Sequence, residues 1–147
     1  MAPDGDPARN VNQLDVLPAT IRPMPVTDAD LPAAARRYGG SLPGRFDIVH
    51  LGLGDDGHTA SWPPGDPVVD SDRACEVVDE FNGHRRMTLT PRVVNAARAR
   101  VVLTHGAAKA PVLARWLLRD LDLPVDRVRR SRTWTFTDPA AASTLGH

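Results

Sequence analysis

Residues 46–67 read FDIVHLGLGDDGHTASWPPGDP, and this stretch decides the fold. Its first part, Phe46–Leu53, is mostly apolar and rich in β-forming residues, the pattern of a buried strand best suited to a parallel sheet. The remainder is crowded with Gly, Pro and polar side chains and reads as a long loop leaving the carboxyl end of that strand. In open α/β sheets, ligands bind at such ends. The strand therefore points to the architecture and the loop to the site.

The rest of the chain supports that reading. Downstream, Arg86–Thr90 (RMTLT) reads as a short strand, and Pro91 opens a helix through about Arg98. Arg100–Thr104 (RVVLT) is a second buried strand, turning at Gly106. Ala107–Leu121 predicts an amphipathic helix with Val112, Leu113, Trp116 and Leu117 on one face. Pro111 is tolerated in its first turn, where N–H groups lack intrahelical partners. Arg132–Phe136 (RTWTF) is a last strand, and Asp138-Pro139 is expected to cap a C-terminal helix. Upstream, Asp28 or Asp30 caps a helix over Leu31–Tyr38 that ends at Gly39-Gly40, with Pro32 near its first turn. Ala19–Val26 (ATIRPMPV) reads as a short edge strand, since two prolines exclude it from a sheet centre, and residues 1–18 as an extended arm. Strands alternating with helices predict an α/β fold with a parallel sheet, in one domain over residues 1–147.

Composition narrows the class. The chain has 147 residues, enough to bury a core, and one Cys, too few for an internal disulfide. No apolar run reaches the roughly 18 residues needed to span a bilayer, and the first ten residues are unlike a signal peptide. A cytoplasmic protein with no membrane partner is the expectation. Lys+Arg and Asp+Glu are 18 each. That balance argues against a general nucleic-acid binder. The neutrality is a sum of unlike halves: residues 1–73 hold six Arg and eleven Asp (net −5), residues 74–147 eleven Arg, Lys109 and seven acids (net +5). Lys109 is the single lysine.

Within the loop, Gly52, Gly54 and Gly57 spell GxGxxG, the dinucleotide fingerprint. The context opposes it, because Asp55 and Asp56 would face a pyrophosphate and Trp62-Pro63-Pro64 prevents the required helix. An acid–base site fits better. Glycines let the backbone bend at the strand end. Asp56 and His58, one glycine apart, can reach one another, and a carboxylate beside an imidazole fixes its tautomer and raises its basicity. The plainer alternative has Asp55 and Asp56 capping a turn, with His58 a surface residue. The His and Asp residues show no compact metal-ligand spacing.

LGLGDDGHTAS resembles the 6-phosphogluconolactonase signature, which reads much like LGxGxDGHTASLFPG. Two further segments follow in the family's order. RMTLTPRVVNAAR resembles its RxTLT strand and helix, and THGAAKAPVL its strand–Gly-x-x-Lys–helix turn. Thr59-Ala60-Ser61 after the His sets the chain apart from the related glucosamine-6-phosphate deaminases. The resemblance covers about Asn10 to the C-terminus and implies a Rossmann-like open parallel sheet flanked by helices. It also implies hydrolysis of 6-phosphogluconolactone, a phosphorylated sugar lactone, to 6-phosphogluconate in the pentose phosphate pathway, with no cofactor and no metal.

By the same resemblance, His58 is the general base that activates water and Asp56 the partner that orients it. N–H groups of the Gly54–Gly57 loop are placed to meet the developing oxyanion, with Thr59 beside them on the substrate side. Lys109 matches the family's lysine. A cation in the first turn of a helix opposes the dipole unless an anion sits there too, which suits a phosphate ligand. Arg86 is the best candidate for a second phosphate or carboxylate contact, with Arg85 its nearest competitor. His84 reads as a loop residue, Trp116 as core, and Arg127, Arg129, Arg130 and Arg132 as a solvated face. Nothing supports Cys75 as a nucleophile. Trp62 replaces the family's Leu-Phe, leaving the pocket shape open there.

The family's Gly-Gly-Ser-Thr-Pro phosphate loop and Asp-Glu-Arg segment do not occur, and Gly39-Gly40-Ser41-Leu42-Pro43 lies in the wrong order to replace the loop. The expectation is thus an N-terminally truncated member with an exposed sheet edge and an uncovered apolar face, prone to self-association and weak as a lactonase. The alternatives are a non-catalytic sugar-phosphate-binding or assembly module and, third, a sugar-phosphate isomerase/deaminase.

Overall fold

The apolar run in FDIVHLGL forms strand β1 (Ile48–Gly52), in which Val49 and Leu51 point inward while Ile48 and His50 point out. In the computed structural model, which describes residues 10–14, 16–81 and 83–146, β1 pairs in parallel with β4 (Ala99–Thr104), from Ile48↔Ala99 to Gly52↔Leu103. β4 pairs in parallel with β5 (Thr133–Thr137), giving a three-stranded sheet in the order β1-β4-β5. The second element pair is an antiparallel hairpin of β2 (Cys75–Phe81) and β3 (His84–Leu89), with a register shift between Val78 and Phe81. The expected RMTLT strand lies inside β3. β2 was not expected, because CEVVDEF alternates weakly and carries three acids.

Helix α1 (Leu31–Ser41) begins as expected, with the Asp30 carboxylate accepting from Ala33 N–H at 2.9 Å. It does not stop at Gly39-Gly40. A Cβ on Gly39 would lie 3.2 Å from the Ala74 Cβ, so the glycine lets the helix lie close against the start of β2. Leu31, Ala34 and Ala35 of α1 join Cys75 and Met87 of the hairpin in a small core of their own. The expected edge strand over Ala19–Val26 does not form. Pro23 and Pro25 cannot donate to a ladder, and the segment instead packs Met24 and Val26 onto this core. The extended arm lies in part outside the described residues; Asn10–Gln13 form a turn of 3₁₀ helix.

Helix α2 (Pro91–Ala96) and helix α3 (Ala110–Leu117) pack Val94, Val112, Leu113 and Trp116 onto Val49, Leu51 and Val102 of the sheet, with Trp62 fully buried among them. The Trp62 indole donates to Leu89 O at 2.8 Å, so this side chain belongs to the core rather than to a pocket wall. α3 is shorter than expected: Ala107–Lys109 is 3₁₀ helix, and Arg119, at φ +67, ends the run. The expected C-terminal helix is replaced by turns. The Asp138 carboxylate does cap, accepting from Ala141 N–H, but it also accepts from Gly106 N–H, binding the chain end to the β4 turn.

The opposite sheet face presents Ile48, Leu103, Trp134 and Phe136, all exposed. Beneath the sheet's other face Arg100 is 2% exposed. Its guanidinium donates to the carbonyls of Val94, Asn95, Ala97, Ser131 and Arg132 and to the Thr133 hydroxyl. No helix among the described residues is long and apolar enough to cross a membrane.

Candidate active site

The glycine loop leaves β1 at its carboxyl end and turns through Asp55-Asp56 before returning at His58. It is held from three sides. Gly54 N–H donates to His58 O at 2.8 Å and Gly57 N–H to Gly54 O at 3.0 Å, closing the turn on itself. Gly57 O accepts from Val125 N–H at 3.0 Å, and Ser61 N–H donates to the Thr88 hydroxyl of β3 at 3.2 Å. Thr59 is 1% exposed and gives its hydroxyl to Gly52 O at 2.8 Å. Such fixing is what a preorganised site requires.

Two expectations change here. The N–H groups of Gly54 and Gly57 are engaged inside the loop, so these glycines shape the site rather than face an oxyanion. Thr59, expected on the substrate side, is a buried latch between loop and strand. Space explains both glycines. Gly57 sits at φ +85, and a Cβ there would lie 2.7 Å from Leu123 Cδ2. A Cβ on Gly54 would lie 2.0 Å from His58 Nδ1, because the imidazole rests on that glycine. Gly54→Ala is therefore expected to push the ring aside and to lower any turnover that depends on the imidazole about 10²-fold, while circular dichroism stays native. A kinetically silent Gly54→Ala would show that the ring position does not matter.

Asp56 and His58 meet directly. Asp56 Oδ1 lies 2.5 Å from His58 Nδ1 and also accepts from His58 N–H at 3.0 Å. Burial alone would raise the Asp56 pKa, but the hydrogen bonds from the His58 backbone and ring, with the attraction of that ring, outweigh it and hold the carboxyl below its ordinary value. Asp56 is thus ionised at neutral pH, and its stabilising effect is lost only as pH falls through that lowered value. An ionised carboxylate only accepts, so the proton shared by the two groups sits on Nδ1, and the neutral form of the imidazole then carries its lone pair on Nε2. The Phe81 ring packs edge-on to the imidazole, with centroids 4.8 Å apart and planes at 83°. Phe81 escaped the sequence reading because it ends a strand that the sequence did not predict.

The cations sort themselves by position. Arg86 lies over the Phe81 ring, its Cζ 5.8 Å from the centroid, and its Nε donates to Phe81 O at 3.0 Å. Arg85 points the other way, to Asp79 at 3.6 Å. Of the two arginines, Arg86 is the one joined to the His58 neighbourhood. Lys109, at the last residue of the 3₁₀ turn, reaches back to the loop, with Nζ 2.6 Å from Asp55 Oδ1. The anion that a lysine needs at a helix start is therefore supplied here by Asp55. Cys75 is buried, and burial first, then Glu76, push its thiol up to about 11, which leaves it unreactive. Among the described residues, no group of three or more His, Cys, Asp or Glu side chains is placed to hold a metal.

The loop after the first strand of the parallel sheet thus carries a carboxylate–imidazole pair, with a lysine brought to the same loop. The family model described as glucosamine-6-phosphate isomerases/6-phosphogluconolactonase matches residues 5–137, and the chain belongs to that family. It is 37% identical over 114 residues to a 6-phosphogluconolactonase of Synechocystis, a match covering 70% of this chain and 47% of the relative. The 6-phosphogluconolactonase structure from Trypanosoma brucei superposes with a TM-score of 0.65 at 29% identity, over 78% of this chain and 53% of that one. A monomeric glucosamine-6-phosphate deaminase of the NagB superfamily superposes with a TM-score of 0.66 at 25% identity, over 80% and 56%. The chain spans about half the length of the curated relatives it matches.

Proposed function

We propose that this chain hydrolyses a phosphorylated sugar lactone, 6-phosphogluconolactone, to 6-phosphogluconate. The observation that carries the reading is the Asp56–His58 contact at 2.5 Å on a loop that Lys109 also reaches. With Nδ1–H held by Asp56, Nε2 takes a proton from water as the water oxygen adds to the lactone carbonyl carbon. When the tetrahedral intermediate collapses, the ring C–O bond breaks, and the leaving alkoxide receives the proton back from Nε2. Asp56 holds the tautomer and offsets the imidazolium charge throughout. Lys109 meets the phosphate, and Arg86, fixed through Phe81, is the second anion contact. A lactone ester is already activated, so the scheme requires no metal.

Lys109→Ala is expected to raise KM for 6-phosphogluconolactone about ten-fold or more, leaving kcat within about three-fold, because a charged hydrogen bond to a remote phosphate contributes mainly uniform binding. An unchanged KM in a pH-stat assay contradicts Lys109 as the anion ligand. The same assay measures whether turnover by this chain is slow. The deaminase resemblance supports a second reading, in which glucosamine 6-phosphate is the substrate; ammonia release from it would favour that reading. Binding of 6-phosphogluconate without any turnover would favour the binding module.

A further inference from the structure

Two adjacent carboxylates on the loop do different jobs. Asp56 holds the imidazole, whereas Asp55, two-thirds exposed, holds the only lysine of the chain at 2.6 Å. The Lys109 side chain is about a quarter exposed, and its Nζ is already engaged by Asp55 Oδ1. A phosphate that contacts Lys109 must share it with Asp55 or displace it. We propose that Asp55 is a specificity-determining residue, an internal competitor for Lys109 that a phosphate displaces and a singly charged carboxylate does not. This rests on the reading of Lys109 as the anion ligand.

The selectivity follows from charge. A phosphate monoester carries about −1.5 to −2 at neutral pH and offers three acceptor oxygens. It therefore outbids a tethered carboxylate of charge −1 for the ammonium. A free carboxylate has no such advantage, because Asp55 has the same charge and is already tethered beside the site. Asp55 thus keeps singly charged sugar acids off Lys109 at the cost of some phosphate affinity. It also holds the lysine toward the loop that carries the base, so ligand capture and loop position share one ion pair. The pair is partly exposed, so the effect is moderate and falls with added salt.

Calorimetric titration with 6-phosphogluconate, inorganic phosphate and gluconate tests this on the chain and on Asp55→Asn, Lys109→Ala and the double variant. Asp55→Asn is expected to bind both phosphates roughly two- to five-fold more tightly and to lose part of its preference over gluconate. In the Lys109→Ala background the same substitution is expected to change nothing. Equal or weaker phosphate binding by Asp55→Asn, with Lys109→Ala still weakened, overturns the competitor: Asp55 would then merely position the lysine. A gain of equal size in the Lys109→Ala background also overturns it, in favour of a general field. Unchanged phosphate affinity in Lys109→Ala alone removes the reading of Lys109 and the inference with it.

Discussion

Replacing His58 by alanine is expected to lower lactone turnover about 10²–10⁴-fold, with KM for the phosphorylated substrate little changed. The imidazole is the group whose proton acceptor is freed by a defined partner, since the Asp56 carboxylate takes Nδ1–H at 2.5 Å. It is also confined in position, with Gly54 beneath it and the Phe81 ring centroid 4.8 Å from its own. The side chain is about a quarter exposed and belongs to neither apolar core, so the fold is expected to persist without it. Loss of kcat at native circular dichroism and unchanged melting temperature would locate the effect in chemistry. A His58→Ala chain that hydrolyses lactone at the original rate would require a different base.

The largest expected effect on stability lies at Arg100. This guanidinium is 2% exposed and ties the carbonyl end of α2, through Val94, Asn95 and Ala97, to the start of β5 through Ser131, Arg132 and Thr133. Burial, followed by the nearby Arg129 and Arg132, pulls its pKa down, but a guanidinium remains charged at neutral pH. Among the described residues no carboxylate accepts from it; five carbonyls and the Thr133 hydroxyl do. Arg100→Met would fill much of the volume while leaving several buried carbonyls without donors. The expected cost is about 3 kcal/mol or more, since each orphaned acceptor costs about 1–3 kcal/mol and some will be rescued by water. For a domain of this size that corresponds to a fall in melting temperature of about 6–12 °C. Arg100→Lys should fall between, since an ammonium has three donors where the guanidinium has five. A change below about 0.5 kcal/mol, the range of an ordinary surface substitution, would contradict the role given to this residue.

What the residues disclosed follows the range of the interactions involved. FDIVHLGL and RVVLT announced parallel strands because burial of a strand leaves a local apolar signature, whereas RTWTF did so through its aromatic and β-branched residues, although Trp134 and Phe136 are exposed. The Asp56–His58 pair was legible for the same reason: its partners are two residues apart, and only the loop between them had to bend. Long-range contacts left no such trace. Asp55 looked like a turn residue until Lys109 was found against it, 54 positions further along by the numbering. Arg100 looked like any polar residue in a strand, because nothing near it in sequence shows that five carbonyls converge there. Thr59 carried a motif position, yet its hydroxyl turned inward to Gly52. The glycines at 39 and 40 misled in the other direction, since a tight approach to Ala74, not a helix stop, is what Gly39 serves.

Ile48, Leu103, Trp134 and Phe136 lie exposed together on one face of the three-stranded sheet. Parallel sheets are ordinarily buried on both faces, so this is an unusual amount of aromatic surface to present. The site itself is assembled at the carboxyl end of β1, from the β1 loop, the β2–β3 hairpin and the turn before α3.

In the proposed reaction the His58–Asp56 pair activates water against a phosphorylated lactone held by Lys109. The most direct test is a pH-stat comparison of 6-phosphogluconolactone with unphosphorylated gluconolactone at equal concentration, each corrected for spontaneous hydrolysis. Catalysed acid release from the phosphorylated lactone is expected, with a kcat/KM well above that for the unphosphorylated one and abolished in His58→Ala. Equal kcat/KM for the two lactones, or catalysis that survives without His58, would contradict it.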